Sequence, residues 1–220
     1  MINNVHDYRI IYYYSFDDEC YLATIPELGG CIADGQTPLE AIRNVRETAK
    51  EWFDIANNEN WEIPKPTATV FPEGKPLHLS DVAAYILSKT GNITTKALQK
   101  LSYYCKAWSC GWYKKPLFPE VFQAWSGGPI NAELFQQHKG KRIVKPSFFD
   151  FCEIQELSEH QKAFVDKILE VYGEMNPDEL GKMTHKEDPW LRARKGLPDD
   201  ASSAEPISEE DMIEFYGLAA

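Results

Sequence analysis

The chain has little of what membrane insertion, secretion, metal chemistry or nucleic-acid binding requires. No apolar run approaches the length that spans a bilayer, and the start, Met1-Ile2-Asn3-Asn4, lacks the charged and apolar regions of a signal peptide. The expected location is therefore the cytoplasm. Cysteines stand at 20, 31, 105, 110 and 152, an odd number with no C-x-x-C pair, so buried free thiols are expected in place of disulfides or zinc. The histidines, at 6, 78, 138, 160 and 185, show neither H-x-x-x-H nor H-E-x-x-H spacing, and no metal or cofactor is expected. Gly127-Gly128-Pro129 has no lysine and hydroxyl after it, so it reads as a turn and not as a phosphate cradle.

Basic charge is also short. Lys and Arg number 23 against 34 Asp and Glu, a formal charge of −11, and residues 1–74 hold 5 basic against 13 acidic side chains. Such a balance gives no electrostatic footprint for DNA or RNA phosphates, whose binding is driven by Lys and Arg displacing counterions. The densest basic cluster, Lys139, Lys141, Arg142 and Lys145, reads as a solvated loop, and operator binding is not expected. An acidic surface is better suited to covering a basic partner.

What is present is enough for a real core: 220 residues, 43% hydrophobic and 13% aromatic, fit one large or two small domains. Residues 8–16 are β-branched and aromatic almost throughout. Asp17-Asp18-Glu19 turns the chain before Cys20 to Ile25 resumes, which is a hairpin. Cys31-Ile32-Ala33 makes a short third strand and Asp34-Gly35 turns again. Thr37 then caps a helix with Pro38 at its first position and Glu40 three residues after the cap, burying Leu39, Ala41, Ile42, Val45, Ala49, Trp52 and Phe53. Thr67 to Phe71 is a fourth strand by composition. Residues 73–77 have the composition of a linker between domains at 1–72 and 78–220.

The second part reads as mainly helical. Ser80 or Asp81 caps a helix that ends near Gly91. Thr94 or Thr95 caps the central one, whose Leu98, Leu101, Cys105 and Trp108 share a face, with Gly111 as its stop. A short helix at 131–138 follows the glycine turn, and 141–154 holds a short extended pair. Ser158 opens a helix to Gly173, Asn176 caps one that runs to about His185, and Ser208 caps Glu209 to Tyr216.

Two stretches carry family resemblances. Lys96-Ala97-Leu98-Gln99-Lys100-Leu101-Ser102-Tyr103-Tyr104, the turn Gln123-Ala124-Trp125-Ser126-Gly127-Gly128-Pro129, and Leu180 to Trp190 with its T-H-x-x-x-P-W pattern resemble the SocA-like Panacea domain of antitoxins, which is helical. Pro26-Glu27-Leu28-Gly29-Gly30-Cys31, Asp34-Gly35-Gln36-Thr37-Pro38-Leu39-Glu40-Ala41 and Ile63-Pro64-Lys65-Pro66 resemble HicB-type antitoxins. That resemblance implies a partial ribonuclease-H fold of β-β-β-α-β order for residues 1–72. The expected class is thus α+β, a small HicB-like domain followed by a Panacea-like helical one.

Ribonuclease-H chemistry needs several carboxylates converging on metal ions. Asp7, Asp17, Asp18 and Asp34 are available, but Asp17, Asp18 and Asp34 sit in turns and read as turn formers. His185 reads as a hydrogen-bonded structural histidine, although an acid or base role is its alternative. No catalytic residue is expected. Aromatic and arginine anchors dominate interfaces, which makes Trp112, Tyr113, Trp125, Trp190, Arg192 and Arg194 the candidate partner contacts. Core packing is the competing role for Trp112, Trp125 and Trp190. The end, Leu218-Ala219-Ala220, resembles a tag grasped by unfolding proteases, so a cellular protease is a candidate partner. Together these features imply a type II antitoxin that binds a toxin encoded beside it, with a dimer through the N-terminal domain. A proteolytic adaptor, or a residual nuclease or hydrolase, is the alternative.

Overall fold

The computed structural model describes residues 4–66, 71, 73–149 and 157–219. They form a mixed α+β architecture in which helix predominates. The chain divides into two compact units, one built on residues 1–69 and one on residues 70–217.

In the first unit, β1 (Ile11–Ser15), β2 (Cys20–Thr24) and β3 (Ile32–Gly35) make an antiparallel sheet in that order. Tyr12 lies opposite Ala23 and Ala23 opposite Ala33. Tyr12 and Ala23 are buried and Ala33 half-buried, and because side chains alternate between faces, a slip by one residue would turn this row outward. β3 runs through Asp34 and Gly35, which therefore extend the strand instead of turning the chain after Ala33. The loop between β2 and β3 closes on its own backbone, Ile25 N–H to Cys31 O at 3.1 Å and Cys31 N–H to Leu28 O at 2.8 Å, with Leu28 buried.

α1 (Pro38–Asn58) starts where Thr37 Oγ1 accepts from Glu40 N at 3.2 Å, and Glu40 Oε2 reaches back to Gln36 N at 3.0 Å. Its buried row is Ala41, Ile42, Val45, Ala49, Phe53 and Ala56, packed on the sheet. Leu39 stands outside that row. It lies in the first turn, three residues before Ile42 but to the side of the stripe's centre, and is 65% exposed; Trp52 is half-buried with its indole N–H on Gly29 O. Tyr8 Oη donates to Pro64 O at 2.6 Å and so holds the Ile63-Pro64 exit to this unit. The strand expected at Thr67 to Phe71 falls outside the described residues except for Phe71, which lies in no strand.

The second unit contains α2 (Leu79–Thr90), β4 (Ile93–Thr94), α3 (Thr95–Tyr113), β5 (Gln123–Trp125), β6 (Gly128–Ile130), α4 (Ala132–His138), β7 (Ile143–Val144), α5 (Glu159–Tyr172), α6 (Pro177–Thr184), α7 (Asp188–Arg194) and α8 (Glu209–Tyr216). β4 pairs with β7, and β5 with β6. Thr94, Asn131, Ser158, Asn176 and Ser208 each cap the helix they precede with a side-chain oxygen. α2 begins earlier than Ser80 or Asp81: His78 is its N-cap and Asp81 reaches back to the His78 N–H at 2.9 Å.

α3 occupies the centre. Every residue from Ala97 to Trp112 is buried, because α2, α4, α5, α6, α8 and the β5–β6 hairpin all pack on it. It also outruns its expected stop. Gly111 sits inside the helix, which ends at Tyr113 with Lys114 at φ 56. The glycine is there for contact: a Cβ on it would stand 2.5 Å from Tyr216 Cβ and 2.6 Å from Tyr216 C. Among the described cysteines, Cys20, Cys31, Cys105 and Cys110 are free and buried. Burial pushes the Cys31 and Cys110 thiols up to about 11 and about 12, which keeps them protonated and unreactive.

Helix propensity alone favours alanine over glycine by about 1 kcal/mol in a helix interior. At Gly111 the approach of α8 reverses that sign. Gly111→Ala is expected to lower stability by about 1–3 kcal/mol in chemical denaturation, the usual range for overpacking. A gain in stability would show that α8 does not sit against α3.

Candidate functional site

Four polar side chains of α3, Gln99, Lys100, Lys106 and Ser109, are as buried as its apolar ones, and each reaches a backbone group between residues 115 and 131. Lys100 Nζ donates to Pro129 O at 2.9 Å. Lys106, 1% exposed, donates to the carbonyls of Phe118, Pro119 and Glu120 at 2.9–3.4 Å and pairs with Glu209 at 2.7 Å. Gln99 accepts from Asn131 N at 2.9 Å and contacts His138 Nε2 at 3.0 Å, while Ser109 Oγ donates to Lys115 O at 2.8 Å. Buried polar groups must be hydrogen-bonded, so these bonds fix both the helix and the loop from 115 to 131. Burial, reinforced by the charge of Lys96, lowers the Lys100 ammonium to about 7.

Above Lys100 lies the β5–β6 hairpin. Gly128 has φ +91, and a Cβ on it would stand 2.7 Å from both Lys100 Nζ and Thr184 Oγ1. α7 clamps the hairpin from the other side: Trp190 Nε1 donates to Trp125 O at 3.0 Å and Arg194 to Ala124 O at 2.9 Å. The His185 ring stacks on Trp190 at 4.1 Å and the Arg194 guanidinium lies over the same indole at 4.7 Å. Burial lowers the His185 imidazole from its ordinary value, with Lys100, Arg194 and Lys96 adding to that and Asp199 opposing. Thr184 Oγ1 donates to Gly181 O at 2.7 Å. The T-H-x-x-x-P-W pattern is thus a built clamp on the glycine hairpin.

Glu187, the N-cap of α7, brings a carboxylate into the core beside α3. Tyr104 Oη donates to its Oε1 at 3.0 Å and Tyr216 Oη to its Oε2 at 2.7 Å. Tyr104 stacks on Tyr172 at 4.2 Å, and Trp108 Nε1 donates to Tyr172 Oη at 3.0 Å. Desolvation raises the Glu187 carboxyl to about 7, although both tyrosine hydrogen bonds favour the ionised form.

The structure separates the expected contact residues. Trp112, Trp190 and Arg194 are buried, the last with its guanidinium on the carbonyls of Ala124, Pro198, Asp199 and Ala201. Burial gives these three a packing role in the scaffold. Trp125 is half-buried against Phe135, and Tyr113 is half-buried between Phe71 and Phe164. Arg192 is exposed and ion-paired to Asp188, Asp211 and Glu214 at 2.6–3.3 Å, which ties α7 to α8. Leu218 is 47% exposed; Ala220 and the Ala219 side chain lie outside the described residues. Cys152 does too. The residues that sequence reasoning missed are Lys100, Lys106, Gln99 and Glu187. The visible signal for the first three is lysine and glutamine interleaved with an otherwise aromatic and apolar helix; Glu187 lies outside that helix and shows none.

These features define a protein whose second unit is a helical scaffold around one buried helix. Residues 98–191, which run from α3 to α7, match the family described as antitoxin SocA-like, Panacea domain. Over 52 residues the chain is 31% identical to the UPF0150 protein Ta0767 of Thermoplasma acidophilum, covering 24% of this chain and 75% of that protein. The chain belongs to the UPF0150 family over that stretch, and at residues 98–191 it carries a SocA-like antitoxin domain. No solved structure matches it.

Two outcomes test the site. Gly128→Ala forces a Cβ onto Lys100 and Thr184 at a positive φ, and is expected to cost about 2 kcal/mol or more in denaturant unfolding. Gly127→Ala, with nothing within 4 Å of its added Cβ, is expected to stay within about 0.5 kcal/mol of wild type. Equal effects at the two positions would contradict the packing described.

The Glu187 value in the fold lies above the ordinary 4.5, so the native state holds the proton more tightly than the unfolded chain does. Its stabilising contribution is full below about pH 4.5 and is lost as pH rises through about 7. The melting temperature of wild type relative to Glu187→Gln is therefore expected to fall across that window and then level off. A difference that does not change with pH would show that the carboxyl is not desolvated.

Proposed function

We propose that this chain is the antitoxin of a type II toxin–antitoxin pair and neutralises a toxin encoded beside it by direct protein binding. The observation that carries the reading is the SocA-like antitoxin match over residues 98–191, the segment that folds around α3. The action is occlusion, without catalysis. Three groups that could otherwise do chemistry are held in structural contacts, which supports this reading: Lys100 on Pro129 O, Glu187 between two tyrosines, His185 stacked on Trp190. In this reading residues 78–220 are the main neutralising part, joined through 73–77 to a HicB-like domain at 1–72. That domain adds a second contact to the toxin or pairs with its copy. The setting is the cytoplasm of a bacterium or of a cell infected by a phage.

Co-expression of the full chain with the product of the adjacent gene tests this. The expected result is rescued growth, co-purification of the two proteins, and a toxin half-life that is unchanged or longer. A toxin that disappears faster in the presence of this chain would replace occlusion by delivery to a protease. Failure to rescue growth or to co-purify would remove the antitoxin reading.

A further inference from the structure

The second unit presents an open groove of about 590 Å³ between Phe71 with residues 73–77 on one side and residues 115–119 on the other. Its floor is apolar: Leu77, Leu117 and Phe118 are 5%, 5% and 2% exposed. The walls are backbone pinned from inside the unit. On one side Lys106 holds the carbonyls of Phe118 and Pro119, and Ser109 holds that of Lys115. On the other, the capping residues of α5 reach out, Ser158 Oγ donating to Glu73 O at 2.6 Å and Gln161 Nε2 to Lys75 O at 3.0 Å. Volumes of this size are typical of ligand sites, and a groove whose walls are already fixed loses little entropy when filled.

Charge and backbone chemistry narrow the occupant. Lys75, Lys115 and Glu73 are among the lining residues, two basic against one acidic in a chain of formal charge −11. The Lys115 ammonium lies 4.4 Å from the centre of the Phe71 ring, which positions it beside the groove. Pro76, Pro116 and Pro119 remove backbone donors from both walls, which disfavours extension of a β-ladder and favours recognition of side chains. A small apolar ligand would have no use for the lysines, and a nucleic acid would meet an acidic protein around them.

We propose that this groove docks an extended segment of the toxin that places a bulky apolar side chain on the floor and a neighbouring carboxylate between Lys75 and Lys115. The assignment rests on the antitoxin reading above, and names the surface through which it acts. The toxin's acidic residue gives specificity and speeds encounter, while the apolar anchor supplies the slow release.

The test is the affinity of the purified toxin for the full-length chain, measured by calorimetry in wild type and in Lys75→Glu/Lys115→Glu. Both lysines are exposed, so the melting temperature of the variant is expected to stay close to wild type. The expected result is at least a tenfold loss of affinity, with a smaller loss in Lys115→Met. A Lys139→Glu/Lys145→Glu variant, which reverses charge in the other basic cluster, is expected to bind as wild type does. Affinity of the groove variant within twofold of wild type would overturn the groove assignment and leave the antitoxin reading standing. No binding of the toxin by the wild-type chain would overturn both.

Discussion

A helix buried on all sides must send its polar side chains into other parts of the protein in place of water. That constraint shapes the second unit of this protein. α3 carries Gln99, Lys100, Lys106 and Ser109 among its apolar residues, and none of the four reaches water. An ammonium taken out of water is costly unless its donors are matched, so each lysine must end on fixed carbonyls. The segment from 115 to 131, rich in proline and glycine and poor in regular structure, supplies them. Its path is set less by its own turn chemistry than by where α3 needs acceptors.

The same logic explains why the family match extends over residues 98–191 and not over α3 alone. The α6–α7 arch closes the assembly by clamping the β5–β6 hairpin from above while Lys100 holds it from below. Glu187 then links α7 to α3 and α8 through two tyrosines. Lys100 and Glu187 are both shifted toward about 7, from opposite directions. Between the ordinary carboxylate value and about 7 the Glu187 contribution falls with pH, and from about 7 to the ordinary lysine value the Lys100 contribution rises. The core is thus least supported by these two groups near neutrality. What a partner meets is the surface this core holds in place.

Local signals were legible in the sequence and distant contacts were not. Thr37, Thr94, Ser158, Asn176 and Ser208 announce their helices because a cap acts on amides only two or three residues away. Gly111 was read as a stop because the tyrosine that needs its missing Cβ lies in another helix, far along the chain. Leu39 was placed in the core since the first turn of a helix shares its hydrophobicity but not yet its facing. Trp112, Trp190 and Arg194 were candidates for contact because aromatic and guanidinium groups serve cores and interfaces alike. Lysines at 100 and 106 carry no sequence mark of core residues, since lysine is almost never fully buried unless paired. The HicB-like pattern at residues 1–72 remains a sequence resemblance joined to a three-stranded sheet and one helix.

Hydrogen exchange of the full chain, followed by mass spectrometry with and without its toxin, reports scaffold and surface in one experiment. The α3 amides from Ala97 to Trp112 are expected to exchange at the global unfolding limit in the free protein. The toxin is expected to add protection at residues 71–77 and 115–119 and to leave α3 unchanged. Fast exchange within α3, or toxin protection confined to other segments, would contradict the claim that a buried polar helix holds a docking surface in place.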